Sequence, residues 1–302
     1  MKTYNVLMDS LHLNRRPILN NLLLKRESHL PKSENTSARI FWGAESYQLE
    51  KSTAYKSASL EVQQRILSLL GQNRLEEAYH IEKAGIAFGA KMILESETFE
   101  ERKLYAHFTG EESDHLSMIE SYLTYVSDDH LNNSFLLFLE ETIKTAPKNV
   151  LVFLIQVILE GWGIEHYSEL ARTCQASDLK AALKKIVQDE AGHHGSGLVL
   201  FKEEALNASE AELANSLFKS FLSMVQIGPY TLAKLAQTEL NLGEVELSLF
   251  LDEIEAHKDT QKKLNSLKSL ALRAGAENSV HLMDEQNFFK ALPNQALVQL
   301  LK

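Results

Sequence analysis

The sequence predicts an all-α protein in which a four-helix bundle is flanked by further helices at both ends. Two observations on the 302-residue chain support this fold class. Proline is scarce, at five residues, while leucine, alanine, glutamate and lysine are abundant, and this composition favours helices. The middle of the chain also divides into two helical hairpins separated by a long crossover segment, a connectivity that four-helix bundles use.

Residues 1–73 are interpreted as an arm and a helix that pack on the bundle. The apolar patch from Ile18 to Leu24 predicts a short helix, and the polar stretch from Pro31 to Ser37 predicts a loop. A helical pattern then runs from Glu45 to Leu70, and Gly71 is the predicted stop.

Residues 74–206 form the predicted bundle. Its first helix covers Arg74–Ser96. Thr98 is the predicted N-cap of the second helix, and Glu101, three residues later, completes the pattern of a capping box. This second helix is expected to end near Val126.

The second hairpin follows a crossover segment, Asp128–Lys148, which has its own short helix and is closed by Pro147. The third bundle helix, Asn149–Thr173, is apolar on nearly all sides from Val150 to Leu159, as expected in the interior of a bundle. A fourth helix runs from an N-cap at Ser177 to about Leu206.

Residues 207–302 are expected to buttress the bundle or to form a homodimer contact, and the whole chain is expected to be one globular unit. Gly228-Pro229 and Gly275 separate the helical segments here. These segments are Ser209–Met224, Tyr230–Leu240, Glu244–Arg273 and Asp284–Leu301.

The net charge, the cysteine count and the lengths of the apolar runs argue against several classes of protein. A net charge of −10 argues against nucleic-acid binding, which usually needs a basic face. Cys174 is the one cysteine, which excludes a disulfide framework and a cysteine-rich metal site. The N-terminus lacks the long apolar run of a signal peptide, and the apolar stretch Val150–Leu159 is too short to span a bilayer. A cytoplasmic protein without a membrane span is therefore expected.

The predicted bundle contains two Glu-x-x-His pairs. Residues three apart lie on the same face of a helix, so the glutamate and the histidine of each pair point in the same direction. Each pair is preceded, thirty residues earlier, by another glutamate, and a shift of 78 residues superimposes one set on the other. The sets are Glu82, Glu112 and His115 in the first hairpin and Glu160, Glu190 and His193 in the second. Glu76 and Glu77 are alternatives to Glu82, but only Glu82 obeys the repeat. A coincidence among surface charges is the competing explanation.

Four carboxylates and two imidazoles form a donor set suited to two first-row metal ions, with iron or manganese favoured. Structural zinc usually prefers cysteine and calcium does not call for histidine. Buried together without cations, four carboxylates would repel one another and would be costly to desolvate. The repeat therefore predicts a dinuclear metal site.

Two further carboxylates are candidates for the outer shell of this site, since a ligand histidine usually donates its second ring N–H to such a group. Asp189 and Glu111 each precede a candidate ligand and point toward the neighbouring hairpin. We assign Asp189 to His115 and Glu111 to His193. For Glu111, a solvated surface charge is an equal alternative.

Several small and apolar residues are predicted to border the metals. Glycine inside a helix costs about 1 kcal/mol relative to alanine. Glycines on the helix faces that carry the candidate ligands therefore indicate that space is needed there, either for close helix packing or for a cavity. Gln156 would hydrogen-bond a metal-bound water or a substrate, or would be a satisfied amide in the core. The predicted pocket residues are Gly85, Phe88, Gly89, Phe153, Gln156, Gly163, Ile186 and Gly197.

With these residues, positions 74–206 resemble the ferritin-like di-iron carboxylate superfamily, which includes ferritins, rubrerythrins, ribonucleotide reductase small subunits and aldehyde-deformylating oxygenases. The resemblance implies a ferritin-like bundle that holds two Fe ions, or a Mn/Fe pair. It also implies O2 as co-substrate, a peroxo or high-valent oxidant, and an external electron donor.

Departures from the superfamily's patterns narrow the implied activity. Ile119 stands where the reductase subunits keep a radical tyrosine, and Ile186 stands where N-oxygenases carry an additional histidine ligand. The cysteine-rich domain of rubrerythrin is absent, and ferritins are far shorter. An oxidase or oxygenase acting on a small or acyl-chain substrate is therefore expected. The alternatives are a ferroxidase, iron-handling or peroxide-scavenging protein, and a structural bundle without metal.

Overall fold

A computed structural model describes residues 16–30, 40–125 and 133–302. Within these ranges the regular secondary structure is helical and no strand forms, although Trp42 and Cys174 make one isolated antiparallel bridge. The predicted all-α class is therefore confirmed for the described residues. The polar stretch predicted as a loop, 31–37, lies outside them.

Two short helices precede the bundle. Helix α1 (Arg16–Arg26) confirms the short helix predicted from the apolar patch, and its leucines are exposed. Helix α2 (Thr53–Ser57) follows two 3₁₀ turns at Ala44–Tyr47 and Leu49–Lys51. The pattern predicted from Glu45 to Leu70 is thus broken into short pieces before the first long helix begins.

Helix α3 (Leu60–Glu95) is the longest in the described chain, and it corrects the prediction of a stop at Gly71. Gly71 lies inside α3, where a Cβ would be 3.7 Å from the ring of Trp42. The small residue therefore lets the helix pass close to an indole that is fully buried and donates to the carbonyl of Leu170 at 3.0 Å. Glycine here reflects close packing and does not end the helix.

Helix α4 (Phe99–Glu120) begins as predicted, because the Thr98 hydroxyl accepts a hydrogen bond from the Glu101 amide at 3.1 Å. The reciprocal half of the capping box differs, since the Glu101 carboxylate accepts from the amide of Glu97 at 2.9 Å. The helix ends at Glu120, six residues before the predicted end.

The crossover contains α5 (Ser134–Thr145), and the second hairpin consists of α6 (Lys148–Thr173) and α7 (Ser177–Leu200). Ser177 is the first residue of α7 and Ala176 occupies the N-cap, which corrects the predicted cap by one position. Helix α7 ends at Leu200, six residues before its predicted end. Within α6, the segment Val152–Leu159 is π-helical.

The C-terminal region has more helices than the sequence predicts. Glu255 takes a positive φ of 52° and divides the predicted segment Glu244–Arg273 into two helices. The segment predicted from Asp284 to Leu301 is also interrupted, because one helix ends at Glu285 and the last begins at Asn294 with Pro293 as its N-cap. The helices are α8 (Ala208–Gln226), α9 (Tyr230–Glu239), α10 (Glu244–Glu253), α11 (Ala256–Arg273), α12 (Glu277–Glu285) and α13 (Asn294–Leu300).

The four long helices pack as two hairpins, α3 with α4 and α6 with α7, and the hairpins meet chiefly through α4 and α7. Helix α5 packs against α3, while α8 and α11 pack against the π-helical segment of α6. Two buried apolar cores result, and both combine side chains of the hairpins with side chains of the C-terminal helices. The C-terminal region therefore supports the helices that carry the site.

Helix α6 is long and apolar enough, by length and composition, to cross a membrane. Its most apolar window is 61% buried inside the protein, and the core helix of a soluble protein passes the same test. The apolar run is therefore weak evidence for a span, because burial against α7, α8 and α11 accounts for it equally well.

Candidate metal centre

Six side chains from the four long helices converge inside the bundle. Their candidate ligand atoms fall into two groups, each within 4.8 Å, and Glu112 and Glu190 belong to both groups. The first group is Glu82, Glu112, His115 and Glu190, and the second is Glu112, Glu160, Glu190 and His193. The structure thus brings together the whole set predicted from the repeat, whereas the alternative Glu76 instead accepts a hydrogen bond from Gln72 at 2.9 Å.

The cluster is almost completely removed from solvent. His115 is 0% exposed and Glu82 is 1% exposed. Burial, and then the charge of Glu190, raises the pKa of Glu112 well above its usual range and that of Glu160 to about 8. These shifts show that the carboxylates are crowded, and that uptake of positive charge would stabilise them.

Glu190 behaves differently because it lies between the two imidazoles. Burial alone would raise its pKa, but hydrogen bonds to His115 and His193 lower the pKa of Glu190 to about 2. Glu190 therefore stays ionised more readily than Glu112 or Glu160.

His115 connects the first group to an outer carboxylate. Its Nδ1 lies 3.1 Å from Glu82 Oε2 and 3.5 Å from Glu190 Oε1. Its Nε2 lies 3.1 Å from Asp189 Oδ2, the contact assigned from the sequence. Burial opposes protonation, but hydrogen bonds with Asp189, Glu190 and Glu82 raise the pKa of His115 to about 12.

His193 repeats this arrangement in the second group. Its Nδ1 lies 3.0 Å from Glu112 Oε1 and 3.4 Å from Glu160 Oε2. Its Nε2 lies 2.9 Å from Glu111 Oε2, so the geometry agrees with the outer contact and not with a free surface charge. Burial opposes protonation here too, but hydrogen bonds with Glu112, Glu160 and Glu190 raise the pKa of His193.

The residues fit a dinuclear metal site. Both imidazoles direct Nδ1 toward the cluster carboxylates and Nε2 toward an outer carboxylate, which is how ligand histidines are usually held. Glu160 Oε2 is buried, and its contact with His193 Nδ1 at 3.4 Å is long for a hydrogen bond. Two cations would replace the shared protons and supply a closer partner for that oxygen.

No protein-family model matches the chain, and neither a curated protein nor a solved structure matches it. The functional conclusions below therefore depend on the side chains of this chain.

Tyr167 is a residue of the site that the sequence analysis missed. Its buried hydroxyl donates a short hydrogen bond to Glu82 Oε1. Burial, and then the charge of Glu82, raises the pKa of Tyr167 well above its usual range. Its position seven residues after Glu160, two turns along the same helix face, is the sequence signal that points to it.

The π-helical segment of α6 was also missed. It ends immediately before Glu160, and π-helical turns frequently occur at functional sites. Gln156, in this segment, accepts from the Tyr105 hydroxyl at 2.8 Å and donates to the His193 carbonyl at 3.1 Å. Of the two interpretations of Gln156, the structure therefore supports the satisfied core amide.

An apolar cavity of about 100 Å³ lies between α3 and α6, with α5 along one side. Its polar floor is formed by Tyr167 and four cluster carboxylates, those of Glu82, Glu112, Glu160 and Glu190. Three of the predicted pocket residues line it, namely Gly85, Phe88 and Gly163.

Five predicted pocket residues lie elsewhere. Phe153 stacks on Phe201 with ring centroids 4.9 Å apart, because sequence-based faces assume α-helical periodicity and this segment is π-helical. The remaining four serve helix packing or the core. A Cβ on Gly89 would lie 3.1 Å from Thr109 Cβ, a Cβ on Gly197 would lie 2.9 Å from Gln156 Cβ, and Ile186 is completely buried in a hydrophobic core.

Proposed function

We propose that the buried cluster binds two iron ions, or a manganese and an iron ion, in a bundle of the ferritin-like di-iron carboxylate type. We further propose that the protein is an O2-dependent oxidase or oxygenase for an apolar organic substrate. One observation carries this proposal: four of the six candidate ligands form the polar floor of a cavity whose other lining residues are mainly apolar, with Glu77 and His166 as the exceptions.

Each metal would have its own histidine. Glu82 and His115 would hold one ion, Glu160 and His193 the other, and the carboxylates common to both groups, Glu112 and Glu190, would be shared. When bound, the metals supply the redox chemistry that activates O2. The chain's own residues position this pair and the substrate beside it.

The outer carboxylates fix the protons of the two imidazoles. Asp189 accepts the Nε2 proton of His115, and Glu111 accepts that of His193, so that each Nδ1 would be available as a ligand to a bound metal. The Tyr167 hydroxyl donates to one oxygen of Glu82, and the second oxygen faces His115 Nδ1 at 3.1 Å, where a metal would take the place of the shared proton. These contacts orient three of the six candidate ligands.

The cavity walls support an organic substrate better than iron storage. A ferroxidase or a peroxide scavenger needs a polar route for ions or peroxide, whereas the lining above the floor is mainly aliphatic and aromatic. The reaction would also require an external electron donor, which we propose as a partner of this protein.

The test is to load the metal-free protein anaerobically with Fe(II), expose it to O2 and search a metabolite extract by mass spectrometry for an oxygen-dependent product. Protein without iron and iron without protein are the controls. Consumption of O2 with ferric mineral as the only product would instead favour the iron-handling alternative. Failure to retain any iron would favour a structural bundle.

A further inference from the structure

The cluster is buried, so a folded chain can take up metal only where one side of the cluster admits a cation. Two sides carry polar groups that reach the surface. One is the cavity between α3 and α6, which Glu77 and His166 also line. The other is the interface of α4 and α7, where an outer carboxylate contacts each of the two buried imidazoles.

The outer carboxylate of His115 is closed to cations. Asp189 is only 12% exposed. The exposed ammonium group of Lys185 binds the same Asp189 oxygen that faces the imidazole. An incoming cation would have to displace this ammonium group and would be repelled by its charge.

The outer carboxylate of His193 is open. Glu111 is 39% exposed and contacts a ring that is 1% exposed, so this pair extends from solvent to the buried cluster. Asp114 lies on the same face of α4, three residues later, and is also partly exposed. Among the described residues, neither carboxylate forms an ion pair with a lysine or an arginine, although Asp114 lies 3.9 Å from the imidazole of His29. This surface therefore attracts cations, whereas the Lys185 side repels them.

The groups behind Glu111 continue inward to the cluster. His193 Nδ1 lies 3.0 Å from Glu112 Oε1 and 3.4 Å from Glu160 Oε2. Gly192 precedes the histidine and leaves open space, since a Cβ there would have nothing within 4 Å. A cation that passes the imidazole ring therefore reaches two carboxylates directly.

The cavity between α3 and α6 is the competing route. Apart from Glu77 and His166, its walls above the carboxylate floor are mainly apolar. A dication that gives up hydration water among apolar side chains finds no replacement ligand before it reaches the floor. At the α4–α7 face, by contrast, a carboxylate, an imidazole and the cluster follow one another without an apolar gap.

We propose that the cluster is loaded from the α4–α7 face, and that Glu111 binds the incoming cation and delivers it past the imidazole of His193. Glu111 is then a positioning residue for metal uptake, and the cavity side remains for the substrate. A resident metal pair uses this route once per chain, unlike stored iron, which would need it in every turnover. The inference rests on the metal-binding half of the proposed function and requires neither O2 nor a substrate.

The experiment measures Co(II) uptake by the full-length, metal-free protein. Co(II) is a first-row dication that absorbs visible light when it is ligated, so uptake is followed without turnover. Stopped-flow absorbance gives the uptake rate, transfer to excess chelator gives the release rate, and elemental analysis gives the final metal content. Uptake by the wild-type protein should slow as the salt concentration rises, because salt screens the attraction of a charged entrance.

Glu111→Gln tests the charge of the entrance. Its amide oxygen can still accept the Nε2 proton of His193, so the imidazole stays oriented. We expect uptake and release both to slow about tenfold with the final metal content unchanged, because the entrance acts on an ion in transit in either direction. Glu111→Asp keeps the charge and should stay within about threefold of the wild type. Glu100→Ala, an exposed position near the start of α4, removes one negative charge elsewhere and should change neither rate.

Gly163→Leu tests the competing route. Gly163 lines the cavity, and a Cβ there would have nothing within 4 Å, so leucine adds bulk to the cavity without displacing a candidate ligand. Uptake by this variant should match the wild type. Slower uptake in Gly163→Leu together with an unchanged rate in Glu111→Gln would place the route in the cavity and overturn the proposal. Circular dichroism verifies that each variant is folded.

An unchanged uptake rate in Glu111→Gln would overturn the proposal whatever the cavity variant does. Faster release with unchanged uptake would show that Glu111 only orients His193 in the loaded protein. Neither result would affect the proposed function, since the final metal content is measured separately. Failure of every protein to take up Co(II) would instead refute the metal centre, and this route with it.

Discussion

Gly85 leaves the space that the carboxylate of Glu112 occupies. A Cβ built on Gly85 would lie 2.6 Å from the carboxyl carbon of Glu112. Its counterpart in the repeat, Gly163, has nothing within 4 Å of the corresponding position. Two glycines that the sequence treats as equivalent therefore have different physical roles beside the same cluster.

This difference predicts opposite effects of alanine. Gly163→Ala should be tolerated and should stabilise α6 by up to about 1 kcal/mol through helix propensity. Gly85→Ala should displace Glu112 and weaken metal binding. Thermal melts and metal titrations of the two variants provide the measurement, and equal metal affinity in both would show that Glu112 can move without consequence.

The cluster itself predicts close to two metal ions per chain after iron loading. Glu112→Ala should lose at least one ion because both groups share this residue, and His193→Ala should lose at least one because it removes the nitrogen donor of the second group. Metal analysis of the desalted proteins measures this, with Glu100→Ala, an exposed position of α4, as the control. Two ions retained at full occupancy by both cluster variants would refute the site.

The contact between Asp189 and His115 predicts a variant that separates binding from reactivity. Asp189→Asn should keep much of the metal but slow the absorbance change on mixing the Fe(II) protein with O2 by about 10–100-fold. Lys185→Met is the matched control, since it removes the other partner of Asp189 and leaves the histidine contact intact. An unchanged rate in the asparagine variant would exclude Asp189 from the outer shell.

Tyr167→Phe should affect the cluster through Glu82. Loss of a hydrogen bond to a buried charged group costs about 1.5–3 kcal/mol, and we expect a lower melting temperature together with altered metal affinity. Tyr105→Phe removes a buried hydroxyl that bonds to Gln156 instead, so it should lower stability without changing metal affinity. The same metal affinity shift in both variants would mean that the effect is general loosening of the bundle.

The metal-free protein should lose stability as the pH rises from about 5 to 8. Burial and the charge of Glu190 raise the pKa of Glu160 from 4.5 to about 8, so its contribution is present below pH 4.5 and is lost as the pH approaches 8. His115, whose pKa is raised from 6.5 to about 12, acts in the same direction above pH 6.5. Melting temperatures across this range measure the loss, which Glu160→Gln should reduce.

Metal loading provides the control for this pH dependence. Cations would neutralise Glu160 in place of its proton, so the loaded protein should show a flatter profile over the same range. Below pH 4.5 the direction reverses for Glu190, whose pKa is lowered to about 2 and whose contribution is lost as the pH falls. An identical decline with and without metal would contradict the location of the metal at these carboxylates.

The sequence alone determined the all-helical class and the identity of the converging set. Three-residue spacing places a glutamate and a histidine on one helix face. Each hairpin turns midway between this pair and the preceding glutamate, so the three side chains lie at the same height along the two helices. This local geometry is enough to predict that they meet. The outer contacts of Asp189 and Glu111 followed from the same geometry, because each precedes a candidate ligand by one residue.

Only the tertiary structure decided where the cavity lies and which residues line it. The π-helical segment before Glu160 changes the residues that face the cluster, and neither its start nor its length can be read from a continuous apolar run. The bond from Tyr167 to Glu82 and the walls from α5 depend on how separate helices pack. The spacing of residues along the sequence determines which side chains are neighbours on one helix. The size and lining of a cavity between helices depend instead on how the whole chain packs.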